Sequence, residues 1–129
     1  MAVALSIAGS DSGGIAGIQA DLKTFSALGV HGCTAITAIT AQNTLKVSTI
    51  VEVNPGVLKD QICSVLDDMK PSAIKIGMVY SRPTIECVSN VLKIKKYRSP
   101  VVVDPILFAE TGAKLLLDDA VEYFVSRMI

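Results

Sequence analysis

The chain has 129 residues, enough for one modest domain or for a piece of a larger one. Half of the residues are hydrophobic, and twelve basic residues balance twelve acidic ones. A neutral chain without a basic block argues against nucleic acid or an anionic membrane surface as the main partner. No apolar stretch approaches the roughly 20 continuous residues that a spanning helix needs.

Strand-like and helix-like patterns alternate along the chain. Val3 to Ala8 is a short apolar run, with no basic leader before it, that enters the polar segment Gly9-Ser-Asp-Ser-Gly. It reads as a buried strand, not as a signal peptide. Gly17 to Leu28 carries Ile18, Leu22, Phe25 and Leu28 at helical spacing, with Gly29 placed to close the helix. Thr34 to Thr40 and Val47 to Val53 are rich in β-branched residues and predict strands. Pro55 and Gly56 open a helix whose apolar face is Val57, Leu58, Ile62, Val65, Leu66 and Met69.

Ala73 to Val79 is a further strand, and Ser81-Arg-Pro-Thr starts a helix carrying Ile85, Val88, Val91 and Leu92. The basic residues Lys93, Lys95, Lys96 and Arg98 follow, where positive charge complements a helix C-terminus. Pro100 to Leu107 is the most hydrophobic strand, with Val101 to Val103 expected in the centre of a sheet. Asp118 to Ile129 begins an amphipathic helix whose core pattern is still running at Ile129, so more chain is expected to follow.

Strands alternating with helices imply right-handed crossovers and a doubly wound, largely parallel α/β sheet with helices on both faces. Residues 1–129 are expected to form a single α/β domain. The three cysteines, Cys33, Cys63 and Cys87, are odd in number and widely spaced. That pattern fits buried reduced thiols in a cytoplasmic protein better than a disulfide framework or a zinc site.

In an open α/β sheet, ligands bind at the carboxyl ends of strands. Several elements place small or polar residues there. Ala8-Gly-Ser-Asp-Ser-Gly-Gly-Ile-Ala-Gly17 is a glycine-rich strand-to-helix turn, read either as a ligand-approaching loop or simply as a tight turn. It is neither a P-loop nor a clean dinucleotide fingerprint. Asp21 sits in the second turn of the following helix, where a carboxylate either complements the dipole or accepts a hydrogen bond from a substrate hydroxyl. Gln42 and Asn43 end a strand, and an amide there either pairs with a heterocycle or is ordinary loop polarity. Gly77-Met78 ends another strand, where Met is usually core filler. Asp104, closing the apolar Val101-Val-Val strand, needs a partner or a metal if it is buried.

Beyond these readings, Ala8-Gly-Ser-Asp-Ser-Gly-Gly, Ala16-Gly-Ile-Gln-Ala-Asp-Leu-Lys-Thr24, Thr40-Ala-Gln-Asn-Thr44, Ile74-Lys-Ile-Gly-Met78 and Val102-Val-Asp-Pro105 closely resemble the hydroxymethylpyrimidine/phosphomethylpyrimidine kinases of thiamine biosynthesis. These belong to the ribokinase-like superfamily, and the motifs follow the family's order from Ala8 to about Leu116. The resemblance implies phosphorylation of 4-amino-5-hydroxymethyl-2-methylpyrimidine and then of its monophosphate, using ATP and Mg2+. By motif, the backbone of Gly9 approaches the substrate, Asp21 bonds the hydroxymethyl, Gln42 reads the pyrimidine edge and Met78 packs on the ring. Asp104 helps to organise the metal and phosphate region.

The chain departs from the family after Pro105, where Ile-Leu-Phe-Ala-Glu-Thr-Gly replaces the usual Val-Met-Val-Ala/Ser-Lys-Ser-Gly. Relatives are also about twice as long, and their second half carries the anion hole, the catalytic residue and most nucleotide contacts. The chain therefore resembles the N-terminal, substrate-binding half, is expected to be inactive alone, and takes no catalytic residue from the resemblance. A pyridoxal-type sister kinase and a non-catalytic binding or interaction protein derived from the kinase are the alternatives. An unpaired strand edge left by a missing half predicts self-association as a homodimer.

Overall fold

The computed structural model describes every residue from Met1 to Ile129 and shows why the alternating pattern forms one sheet. Five strands, β1 (Val3–Asp11), β2 (His31–Gln42), β3 (Val47–Glu52), β4 (Ala73–Ile76) and β5 (Val101–Val103), lie in the order β3-β2-β1-β4-β5. Helices α1 (Gly17–Ala27), α2 (Pro55–Ser64), α3 (Arg82–Ile94) and α4 (Val121–Met128) complete the chain. β2, β1, β4 and β5 run parallel, and only β3 is antiparallel, joined to β2 by a short hairpin. The α/β, doubly wound and largely parallel arrangement expected from the sequence is present.

Alternate residues of each strand serve opposite faces. Leu5 and Ile7 of β1, Ala35 of β2 and Ile74 and Ile76 of β4 join Leu58 and Ile62 of α2, Ile85 and Val88 of α3 and Phe124 of α4 in the main core. The opposite face is covered by α1. There Leu22 and Phe25 press on the backbone of Gly32, leaving no room for a Cβ on that residue. Asn54 caps α2 by accepting from the Gly56 N–H at 2.8 Å, with Pro55 in the first turn as expected. At the end of α1, Gly29 and Val30 donate to the Ser26 and Phe25 carbonyls, the bond pair of a Schellman closure.

Several boundaries differ from the sequence reading. β1 continues through Gly9 and Ser10 to Asp11, because Ser10 and Asp11 still pair with Ile39 and Thr40 of β2, and Ser10 bridges to Gly17 on the other edge. β2 extends beyond Thr34–Thr40 at both ends, paired with β1 at one end and with β3 at the other. β4 stops at Ile76, before Gly77-Met78-Val79. β5 is only three residues long, since Asp104 and Pro105 leave the ladder after the Asp104 N–H donates to the Ile76 carbonyl at 2.8 Å. Val101–Val103 is not central but forms one edge of the sheet, with Val102 61% exposed on a face that α1 does not reach. The three cysteines are free but half-buried instead of fully buried. Burial is enough to push the Cys33 and Cys87 thiols above their ordinary range. Lys95, just beyond α3, is bonded to Asp67, which leaves less free positive charge in the basic cluster. No helix is long and apolar enough to cross a membrane.

Candidate substrate-binding site

The site begins with two glycines. Gly17 opens α1 at φ 58, and a Cβ there would lie 2.2 Å from the Gly9 carbonyl oxygen. Only residues without side chains let the start of α1 cross the end of β1 so closely. A Cβ on Gly9 would in turn meet Met78 Sδ at 2.8 Å. At Gly9 β1 is thus bare backbone, bordered by α1 on one side and by the segment after β4 on the other.

Asp11 organises the loop between them. Its carboxylate accepts from the N–H groups of Gly13 (2.7 Å), Ile15 (3.0 Å) and Ala16 (2.9 Å), and the residue is 3% exposed. A buried carboxylate is costly unless bonded, and these three amides satisfy it. Gln19, in the first turn of α1, accepts from the Asp11 N–H at 2.8 Å and donates to Ser10 Oγ at 2.8 Å. The Ser12 hydroxyl accepts from the Gln42 N–H and donates to the Gln42 carbonyl, tying the loop to the end of β2. The glycine-rich loop is therefore held by side chains of its own motif.

Met78 is positioned from β2. Thr37 Oγ1 donates to the Met78 carbonyl at 2.7 Å, a buried bond that passes over the end of β1. It leaves β2 where the register with β1 shifts, between Ala8 and Ser10. Gln42 stands opposite, with Oε1 3.1 Å from Thr40 Oγ1. Its side-chain amide nitrogen has no partner in the chain, which leaves donors free for a ligand.

These elements enclose a cleft of about 370 Å³. Gly9, Gln42 and Met78, three of the five residues singled out from the sequence, line it together. Ile106, Phe108 and Leu115 form its apolar wall, and Glu110 stands there too. The remaining two residues lie outside the lining. Both Asp21 oxygens are within 3.1 Å of Lys75 Nζ, and Ser6 Oγ donates to Asp21 Oδ2 at 2.6 Å, so the carboxylate is already engaged between α1 and the sheet. Asp104 is exposed beyond β5 and has no cluster of other ionisable ligands around it.

Sequence reasoning missed Asp11 and Thr37. Asp11 carried a legible signal, since an Asp followed by a run of small residues suits side-chain-to-backbone bonding in a turn. Thr37 carried none, because its value comes from Met78, 41 positions along the chain.

Comparison with solved structures defines the fold class. Over 99% of its length the chain superposes on a crystal structure of a phosphomethylpyrimidine kinase from Clostridium difficile 630, with a TM-score of 0.90 and 45% identity, covering 55% of that chain. An ADP complex of Bacillus subtilis pyridoxal kinase matches with a TM-score of 0.83 and 34% identity, over 99% of this chain and 48% of that one. The fold is ribokinase-like. A Rhizobium meliloti (strain 1021) hydroxymethylpyrimidine/phosphomethylpyrimidine kinase is 49% identical over 128 residues, 99% of this chain and 47% of that protein. The phosphomethylpyrimidine kinase family profile matches residues 11–129, and the chain belongs to that family. It spans about half the length of the curated relatives it matches.

If Asp11 holds the loop, Asp11→Ala will free three amides together. Hydrogen exchange at Gly13, Ile15 and Ala16 should accelerate, with a stability loss of about 1–3 kcal/mol. Unchanged exchange at those amides would show that the loop is held by other contacts.

Proposed function

We propose that the protein supplies the substrate-binding half of a kinase that phosphorylates hydroxymethylpyrimidine and its monophosphate with ATP. The convergence of Gly9, Gln42 and Met78 on one cleft carries this reading. The Gln42 amide offers both a donor and an acceptor to a ring nitrogen and its neighbouring amino group. Met78 and the wall of Ile106, Phe108 and Leu115 suit the apolar face of a flat heterocycle. Gly9 lets the ligand approach main chain.

Asp21 accepts the ligand's hydroxymethyl in this reading only by exchanging one of its bonds to Lys75 or Ser6. Ring recognition therefore falls chiefly to Gln42 and Met78. Mg2+ is commonly held by one or two carboxylates together with phosphate oxygens. Asp104 supplies a single carboxylate, which fits as one ligand of such an ion but not as a complete site. When bound, the ion would neutralise charge on the transferred phosphoryl group.

The proposed division of labour makes the isolated chain inactive in phosphoryl transfer, since its cleft is lined by no lysine or arginine to stabilise the reaction. A pyridoxal-type substrate is the second reading, favoured by the 34% identity to a pyridoxal kinase. A non-catalytic binding role remains the alternative of a different class. It separates from the kinase reading by whether pairing with a complementary half restores ATP-dependent product.

Two measurements address the reading. Calorimetry with the pyrimidine alcohol should show Gln42→Ala weakening binding by about 1–3 kcal/mol; equal affinities would remove Gln42 from the site. The proposed homodimer draws support from the free edge of β5 and the exposed Val101 and Val102 side chains. Sedimentation at micromolar concentration should then give a species of twice the chain mass, and a strict monomer would refute the dimer.

A further inference from the structure

Three residues other than glycine have a positive φ: Lys70, Tyr80 and Lys96. Lys70 follows the helical turn Val65–Met69 and Lys96 follows α3, where a left-handed residue closes the last turn in the ordinary way. Tyr80, at φ 61, follows the end of a strand instead. The Ser81 N–H donates to the Val79 carbonyl at 2.7 Å, so Tyr80 is the centre of a three-residue turn. With a positive φ, such a turn is rare and strained. A bulky side chain persists there only where its surroundings hold it, and positions of this kind gather at functional sites.

The surroundings of Tyr80 are those of the cleft. Val79 enters the main core, whereas Tyr80 packs against the smaller cluster of Ala38, Met78 and Leu115. Met78 and Leu115 line the cleft and Tyr80 does not, so its ring supports the lining from behind. The apolar wall is a hairpin closed by its own bonds. Phe108 bridges to Lys114, and the N–H groups of Leu115 and Ala109 donate to the carbonyls of Leu107 and Ala113, each at 2.8 Å. Where that hairpin rejoins the body, Tyr80 bridges to Leu116 and its carbonyl accepts from the Leu117 N–H at 2.8 Å. One residue thus meets the Met78 side of the cleft with its ring and the base of the wall with its main chain.

We infer that Tyr80 is a positioning residue for the ligand, its strained turn holding the ring against the lining and setting the spacing between Met78 and the Leu115 wall. The inference deepens the proposed function and rests on it for the identity of the heterocycle. A flat ring is gripped from both sides only when that spacing matches its thickness. Tyr80 therefore acts on affinity without touching the ligand, by keeping the cleft at its binding width.

The test compares wild type with Tyr80→Phe, Tyr80→Ala and Tyr80→Gly, using calorimetry with the pyrimidine alcohol and urea unfolding. Tyr80→Phe keeps the ring and should bind as wild type does, whereas Tyr80→Ala should bind roughly tenfold more weakly. Glycine adopts the left-handed turn without a Cβ penalty, so Tyr80→Gly should unfold at a higher urea concentration than Tyr80→Ala and yet bind no better. A merely structural role would make affinity follow stability across the series. Wild-type affinity in Tyr80→Ala or Tyr80→Gly, affinity rising with stability from Ala to Gly, or equal stability of those two variants would each overturn the inference.

Methyl NMR of the protein without added ligand separates this result from failure of the pyrimidine reading. Cross-peaks among the methyl groups of Ala38, Met78 and Leu115 report their spacing. They should weaken in Tyr80→Ala and Tyr80→Gly and persist in Tyr80→Phe. If wild type binds no pyrimidine but the cross-peaks behave in this way, the substrate assignment fails and the positioning of the cleft stands. Cross-peaks of wild-type strength in Tyr80→Ala would sink the positioning itself.

Discussion

The structure depends on one close crossing, where the backbone of Gly17 meets the carbonyl of Gly9. With a Cβ position only 2.2 Å from that oxygen, no other residue fits at 17 without moving α1 away from the sheet. The crossing fixes where α1 starts and how the intervening loop must fold back. It also requires β1 to carry no side chain at Gly9, just before its carboxyl end. A cleft forms beside Gly9, with Ser10 and Asp11 of the central strand, Met78, Gln42 and the wall after β5 around it.

The strand end beside the cleft needs polar support, and the chain provides it from three directions. Asp11 absorbs the free amides of the loop, Gln19 ties Ser10 and Asp11 to α1, and Thr37 reaches across β1 to the Met78 carbonyl. Each is a short bond at least partly shielded from water, and the Thr37 bond is fully buried, where an unpaired group would be costly. No buried side-chain nitrogen or oxygen is left without a partner. The cleft is therefore set by bonds within the chain itself, which favours binding without a large ordering cost. At the far side of the sheet, Glu52 of β3 accepts from Ser81 and Thr84, holding the edge strand against the start of α3.

The fold was legible because its elements are punctuated locally. Pro55 and Gly56 open α2, Gly29 closes α1, and the apolar faces of both helices follow the helical period. Boundaries governed by pairing were not legible. Polar Ser10 and Asp11 look like loop until β2 lies alongside them, and the Pro100 to Leu107 run looks like one strand although only Val101–Val103 enters the ladder. The edge position of β5 was hidden for the same reason, since apolarity does not report how many neighbours a strand has. In the site, residues at strand ends were found because the topology sends them to one edge. Asp21 was placed on the correct helix, but its commitment to Lys75 and Ser6 depends on a residue 54 positions away.

The central claim is that the glycine crossing creates the ligand site. A titration of the labelled protein with 4-amino-5-hydroxymethyl-2-methylpyrimidine, followed at backbone amides and at the Met78 methyl group, tests it most directly. The account predicts saturable shifts centred on Gly9, Gln42 and Met78, with little change around Lys70 and Lys96 at the opposite end of the strands. Shifts centred on that opposite end, with Gly9 and Met78 unmoved, would contradict it.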